Sequence, residues 1–270
     1  ALDTACSSSL VATAYVAAAL RSRSAGPAAL AGGANLPAAA PVASLFAAAG
    51  MLAPDGRCKA LDAAADGYGR AEGCVLLLWR AVDVGSDGGQ GGTSHPPLLL
   101  LGTAVNQDGR SSSLTAPHGP SQTRVIGAAL ADAGDGWGVR SVAVLHLHGT
   151  GTPLGDPIEV GAAVAALPVP AGAGDPSATV PLHLGAAKAA TGHAETAAGA
   201  AALTRALALL KSRAVEGLAS LRALNPHAAS AVVAGAGKKK GGATPPPAWC
   251  GIARTAAAPV IQAASSPVAV

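Results

Sequence analysis

A cysteine at the junction of a polar turn and an apolar run limits what this chain can become. Asp3-Thr4-Ala5-Cys6-Ser7-Ser8-Ser9-Leu10 leads straight into Leu10-Val11-Ala12-Thr13-Ala14-Tyr15-Val16-Ala17-Ala18-Ala19-Leu20. The second stretch is rich enough in alanine and leucine to form a buried helix. A thiol at its start faces unpaired backbone N–H groups and the positive end of the helix dipole, which makes the sulfur a better nucleophile. The same segment is equally consistent with a small buried cysteine beside polar caps, so the rest of the chain has to decide.

Two histidine segments bear on the question. The first is His146-Leu147-His148-Gly149-Thr150-Gly151-Thr152-Pro153-Leu154-Gly155-Asp156-Pro157-Ile158-Glu159, and the second is Gly185-Ala186-Ala187-Lys188-Ala189-Ala190-Thr191-Gly192-His193-Ala194-Glu195. With Cys6 they supply a thiol nucleophile and two imidazoles able to donate N–H groups to developing negative charge. His146 is read as a bystander of His148. Cys58 and Cys74 are read as core thiols.

Composition narrows the classes. Half of the 270 residues are hydrophobic but only 2% are aromatic, so a core must be assembled from alanine, valine and leucine, which bury less area per residue. A net charge of +3 with 12% charged residues argues against a nucleic-acid or membrane-surface partner. The four cysteines, Cys6, Cys58, Cys74 and Cys250, lack the spacing of a zinc site or a disulfide framework. Free thiols suit a reducing compartment, read here as the cytoplasm or a plastid. No apolar run is long enough to span a bilayer, and no signal peptide is seen.

Along the chain, strand-like runs alternate with helical ones. Helices are expected over 7–20, 41–49, 121–133 (with Ser121 as N-cap), 159–167 and 194–211. Strands are expected over 28–34, 74–79, 98–105, 142–147 and 182–185, all read as buried. Gly/Pro/Ser-rich stretches over 85–97 and 168–181 read as loop and linker. Asp156 is read as a helix cap and Glu159 as a first-turn helix residue. The pattern is that of an α/β fold with buried sheets.

The motifs, taken together, resemble the ketosynthase (β-ketoacyl synthase) domain of type I polyketide synthases and related fatty acid synthases. That family carries a DTACSSSL-type nucleophile turn, an HGTGTPLGDPIE loop and a K-x-x-x-G-H segment, matched here around Cys6, His148 and His193. Ala31–Asn35, Gly50–Lys59, Asp62–Tyr68, Val105–Arg110 and Leu114–Gln122 add further stretches in the family's order. The resemblance implies a thiolase-like αβαβα layered fold. It is incomplete here, because the strands that precede the nucleophile helix in the family are missing. The chain is therefore read as a fragment: 1–84 as the remainder of the first half, 98–227 as the second half and 228–270 as a divergent low-complexity segment.

The resemblance also implies a chemistry. Cys6 takes an acyl group from a thioester. A malonyl-type extender on an acyl carrier protein loses carbon dioxide, and the enolate condenses with the Cys6 thioester. His148 and His193 hold the enolate, Lys188 orients or polarises His193, and Thr150 and Thr152 touch the carrier's phosphopantetheine arm. No cofactor is bound. The implied partners are the acyl carrier protein, neighbouring synthase domains such as an acyltransferase, and a second copy in a homodimer. Two departures stand out. Ala189 and Ala190 replace the family's threonine and asparagine, and the stretch from Cys250 lacks the glycine-rich closing turn. They keep a second reading open, a catalytically inactive ketosynthase remnant or interaction module of a larger synthase. A thiolase reading has only Cys250 to offer as its second cysteine.

Overall fold

The computed structural model describes residues 1–82, 98–110, 116–167, 182–212, 214–215, 217–235 and 250–251. The loop and linker expected over 85–97 and 168–181, the motif residues 111–115 and the tail beyond 251 lie outside these.

The first part runs α1 (Ser8–Arg21), β1 (Ala28–Asn35), α2 (Ala40–Ala48) and β2 (Gly73–Arg80). β1 and β2 form an antiparallel pair over their whole length, from Ala28 opposite Arg80 to Asn35 opposite Gly73. α1 packs against β1. Both strands were expected to be buried, yet each buries only alternate residues. Leu30, Leu76 and Leu78 lie on the uncovered face at 63–65% exposure, so the period of two is that of a half-buried sheet.

The second part runs α3 (Gly119–Asp132), β3 (Val144–His146), α4 (Gly155–Ala166), β4 (Leu182–Gly185), a short α5 (Lys188–Thr191), α6 (Ala198–Ser212), α7 (Pro226–Gly235) and β5 (Cys250–Gly251). β3, β4 and β5 make a parallel sheet in that order. The main core fills the space between this sheet and α4 and α7, with Leu61, Leu147, Val160, Val164, Leu184 and Val232 in one cluster. α7 thus packs against α4 from within the stretch expected to be divergent tail, and Ala228 and Val232 are buried by it.

Several local expectations change. The run 98–105 is not a strand. Its backbone is satisfied by side chains instead: Arg21 donates to Leu101 O, and Thr103 N–H donates to Asp132. Gly102 lies so close to the end of α3 that a Cβ would sit 2.2 Å from Ala129 O. α3 begins two residues before Ser121, with His118 as N-cap, and Ser121 is buried inside its first turn, paired to His118 Nδ1 at 2.8 Å. α4 starts four residues earlier than expected, which puts Asp156 in its first turn and Glu159 in its second.

Asp156 does not cap its own helix. Its carboxylate, only 1% exposed, accepts from Leu61 N–H at 2.7 Å and from Gly151 N–H at 3.1 Å. Leu61 is fully buried and sits at a left-handed φ of 61°, a conformation that this bond helps to hold. Asp62 joins the same loop to the 220s by accepting from the N–H groups of Arg222 and Ala223. Burial opposes ionisation of Asp62, but those bonds and one from Ala64 outweigh it and hold the carboxyl below its usual range.

Asp156→Ala leaves two buried N–H groups unpaired and is expected to cost about 3 kcal/mol of stability, whereas Asp156→Asn, which keeps one acceptor, costs less. Urea unfolding of the three proteins side by side checks this; equal midpoints would show that the carboxylate does not hold the loop.

Candidate active site

Cys6 sits on the turn that enters α1. Ala5, before it, adopts a left-handed φ of 56°, strained for a residue with a Cβ. The turn is held from both sides: Ala5 N–H donates to Asp3, Thr4 N–H donates to Ser8 Oγ, and Ser8 Oγ donates back to Ala5 O at 2.7 Å. Cys6 therefore sits on a hydrogen-bonded elbow ahead of the helix.

His148 lies two residues past the end of β3. The loop after it folds back through Gly149 and Gly151, at φ 51° and 79°, so that Glu159 on α4 reaches the main chain it came from. The carboxylate accepts from the N–H of His148 and from that of Gly149 at 2.9 Å. Burial pushes the Glu159 carboxyl up to about 7, against the pull of those two hydrogen bonds. His193 lies past Gly192, whose φ is 75°. The backbone of this turn pairs with the strand-like segment beside Arg70: His193 N–H donates to Gly69 O and Ala71 N–H to His193 O. Tyr68 packs its ring 4.9 Å from that of His193.

These elements bring the predicted trio together. The thiol of Cys6 and one ring nitrogen each of His148 and His193 all lie within 4.8 Å of one another. The two imidazoles meet edge to face, with centroids 5.5 Å apart. Lys188 is buried and joins them, but not where the sequence placed it. Expected to orient His193, it sets its Nζ 2.7 Å from His148 O and 3.4 Å from His148 Nδ1. The cause is α5, whose single turn points position 188 back toward the end of β3. Burial lowers the Lys188 pKa, opposed by the charges of Glu159, Cys6, Cys58 and Asp156. Thr150 and Thr152 pair their hydroxyls at 3.3 Å, and Thr152 Oγ1 also accepts from Gly155 N–H at the start of α4.

The hydrogen bonds fix the tautomers. Glu195 N–H donates to His193 Nδ1 at 2.9 Å, so the neutral ring carries its proton on Nε2. Lys188 Nζ lies 3.4 Å from His148 Nδ1 and, when it carries its full set of protons, selects the same tautomer there. Burial, with the nearby Lys188 cation, lowers both imidazoles to about 3. His193 is buried, whereas His148 keeps an exposed face. The result is a thiol beside two neutral N–H donors. The three donor atoms also have a spacing from which a metal could be ligated, but ligation at Nε2 needs a lone pair there, and each Nδ1 already faces a donor.

Glu159 and Tyr68 are the members that motif reading missed. Glu159 was visible only as a helix residue, because its reach to His148 depends on the fold-back of the intervening loop. Tyr68 ends the Asp62–Tyr68 stretch of the resemblance, but it lies far from both histidines in sequence and no role was read for it.

The chain matches the family described as "Beta-ketoacyl synthase, N-terminal domain" over residues 1–83 and "Beta-ketoacyl synthase, C-terminal domain" over 99–222. It is 46% identical over 211 residues to the spectinabilin polyketide synthase system protein NorA' of Streptomyces orinoci, covering 77% of this chain and 5% of that protein. It is 43% identical over 228 residues to the mycoketide-CoA synthase of Mycobacterium tuberculosis, covering 84% and 5%. The ketosynthase from module 6 of the bacillaene synthase of Bacillus subtilis 168 superimposes with a TM-score of 0.71 at 30% identity, over 84% of this chain and 39% of that one. The oxazolomycin ketosynthase domain OzmH KS7 of Streptomyces albus JA3453 gives 0.71 at 33% identity, over 84% and 38%. The thiolase-like α/β fold is shared with these structures, and the chain spans about two fifths of their length.

The buried imidazoles give the fold a pH dependence. His146, lowered to about 4 by burial, His193, lowered to about 3, and His183, lowered by burial, all release their protons more readily in the folded chain than at the ordinary 6.5. Below 6.5 the unfolded chain therefore binds more protons, and stability falls on acidification. Glu159 runs the other way, because its folded carboxyl keeps its proton up to about 7 against 4.5 unfolded. His148, lowered to about 3, adds to the imidazoles, and Asp156, raised by burial, adds to Glu159. Two carboxyls oppose four imidazoles, so the denaturation midpoint is expected to drop between pH 6.5 and 4.5, and a midpoint that stays level across that window would overturn the assignment.

Proposed function

Because the chain belongs to the β-ketoacyl synthase family, we propose that it carries the acyl-transfer and condensation chemistry of a polyketide synthase ketosynthase on Cys6, His148 and His193. The observation that supports this most is the approach of the three reactive atoms to within 4.8 Å. A thiol suits the work because it is both a nucleophile and a leaving group.

In the first step the Cys6 sulfur attacks the carbonyl carbon of an acyl thioester. The carbon–sulfur bond to the carrier breaks, and the carrier thiol departs with the proton that Cys6 gave up. The backbone N–H of Cys6, at the entrance to α1, is the donor we assign to the transient oxyanion. In the second step a malonyl-type extender on acyl carrier protein releases carbon dioxide. Its electron pair becomes an enolate, whose oxygen receives the Nε2–H groups of His148 and His193. The enolate carbon then bonds to the acyl carbon on Cys6, and the sulfur leaves as thiolate. Neutral imidazoles serve here because they donate without having to lose a charge.

Lys188 acts as a positioning residue by holding the backbone and Nδ1 of His148. Glu159 anchors the same residue through its N–H. Thr150 and Thr152 are assigned to the phosphopantetheine arm of the carrier, which is a substrate group and not a resident cofactor. The carrier protein, an adjoining acyltransferase domain and a homodimeric partner are the proposed associates, and the cytoplasm the proposed location. Among the described residues no helix is long and apolar enough to cross a membrane.

Intact mass of the folded chain after incubation with a short acyl thioester tests the first step. Wild type is expected to gain one acyl mass and Cys6→Ala none. With malonyl thioester alone, His193→Ala is expected to slow release of carbon dioxide by about 100-fold or more, the effect of losing one preorganised donor. A folded chain that takes up no acyl group would favour the inactive-remnant reading.

A further inference from the structure

The strands that lead to His148 and Lys188 hold two further histidines that the chemistry does not use. His146 ends β3, and His183 lies inside β4. In the parallel register Val144 pairs with His183 and His146 with Gly185. Residues two apart on a strand share a face, so both imidazoles lie on the same side of the sheet. Gly185 makes room for this, since a Cβ there would fall 3.2 Å from His146 Nε2.

Both rings face one small cavity of about 20 Å³, bounded on its far side by Arg205 and Leu209 of α6 and by Leu218. His183 is only 8% exposed. His146 Nδ1 and both ring nitrogens of His183 are buried, and none has a hydrogen-bonding partner among the described residues. Burial keeps both rings neutral at neutral pH, and at His146 the charges of Arg205 and Lys188 act in the same direction. A neutral imidazole has one N–H to give and one lone pair to offer, so the cavity presents groups of both kinds. Buried polar groups left unpaired are costly, and a small ligand that both donates and accepts would relieve the cost.

We propose that one water molecule occupies this cavity and bridges His146 Nδ1 to a ring nitrogen of His183. The volume gives room for one water and little more. Water can accept from one ring and donate to the other, which matches what the two neutral imidazoles present. A metal cation fits the observations less well. It would share the wall with the Arg205 guanidinium, and among the described residues no third histidine, cysteine or carboxylate completes a ligand set with these two rings. The bridge has a structural consequence. β3 is three residues long and β4 four, so the ladder between them is short. A water held between side chains ties the two strands a second time, two residues before His148 and five before Lys188. The inference rests on the two histidines and their cavity, and stands whether or not the site turns over.

Crystallography of the wild-type chain is expected to show one density peak within about 3 Å of His146 Nδ1 and of one nitrogen of His183. Urea unfolding at neutral pH tests the bridge without crystals. A shared water makes the two rings act as a unit, so His146→Leu and His183→Leu are each expected to lower the midpoint. The double variant is expected to fall no further than the less stable of the two single variants. Rings bordering a dry cavity would behave in the opposite way, because each substitution would then remove an unpaired polar group and leave the midpoint level or raised. Such a midpoint, losses that simply add in the double variant, no peak at the site, or stoichiometric metal in the purified chain that His183→Leu removes would each overturn the proposal.

Discussion

The site depends on one close approach, that of α1 to α6. Gly199 in α6 lies so near Leu10 that a Cβ there would fall 2.5 Å from Leu10 Cγ, and Ala200 N–H beside it donates to Ser9 Oγ at 3.0 Å. Ser9 is fully buried, so that bond is not shared with water. One residue pair further on, Gly33 of β1 is pressed against Thr196 O, and Thr196 donates to Ala34 O. These contacts couple the helix that starts after Cys6 to the helix that starts after His193. Together with the backbone bonds of Gly69 and Ala71 to His193, they fix the distance between the thiol and the second imidazole across the two halves.

The electrostatics follow from the same enclosure. An imidazole in water at neutral pH is a mixture of protonation states and tautomers. Here burial favours the neutral form, and a donor at each Nδ1 selects one tautomer. Lys188 contributes both to His148 and to the cationic field that disfavours imidazolium, while Glu159 ties the main chain of His148 to α4. The arrangement has little side-chain freedom left to lose when a substrate arrives, which is the sense in which such a site is preorganised.

Much of this was legible in the sequence. The Cys6 turn, the two histidine loops and the alternation of strands with helices are local patterns, and local patterns survive folding. What was not legible depends on long-range geometry. Residues 98–105 carry strand propensity, but their backbone found Arg21 and Asp132, more than 25 residues away, in place of a ladder. Asp156 has the composition of a cap, yet its acceptors serve Leu61, 95 positions back. The assignment of Lys188 to His193 followed sequence proximity, whereas the single turn of α5 reverses the side chain toward β3. The alternation in β1 and β2 was hidden because both faces of β2 are apolar and periodicity had nothing to distinguish them.

The donor that selects the tautomer of His193 is a main-chain N–H, that of Glu195. A side-chain donor could be lost through one substitution, but every residue other than proline supplies this one. The side chain at position 195 can change without altering which nitrogen of His193 accepts this bond. The feature is inherited with the turn and not with any residue identity, so it outlasts the side chains around it for as long as the turn itself is kept.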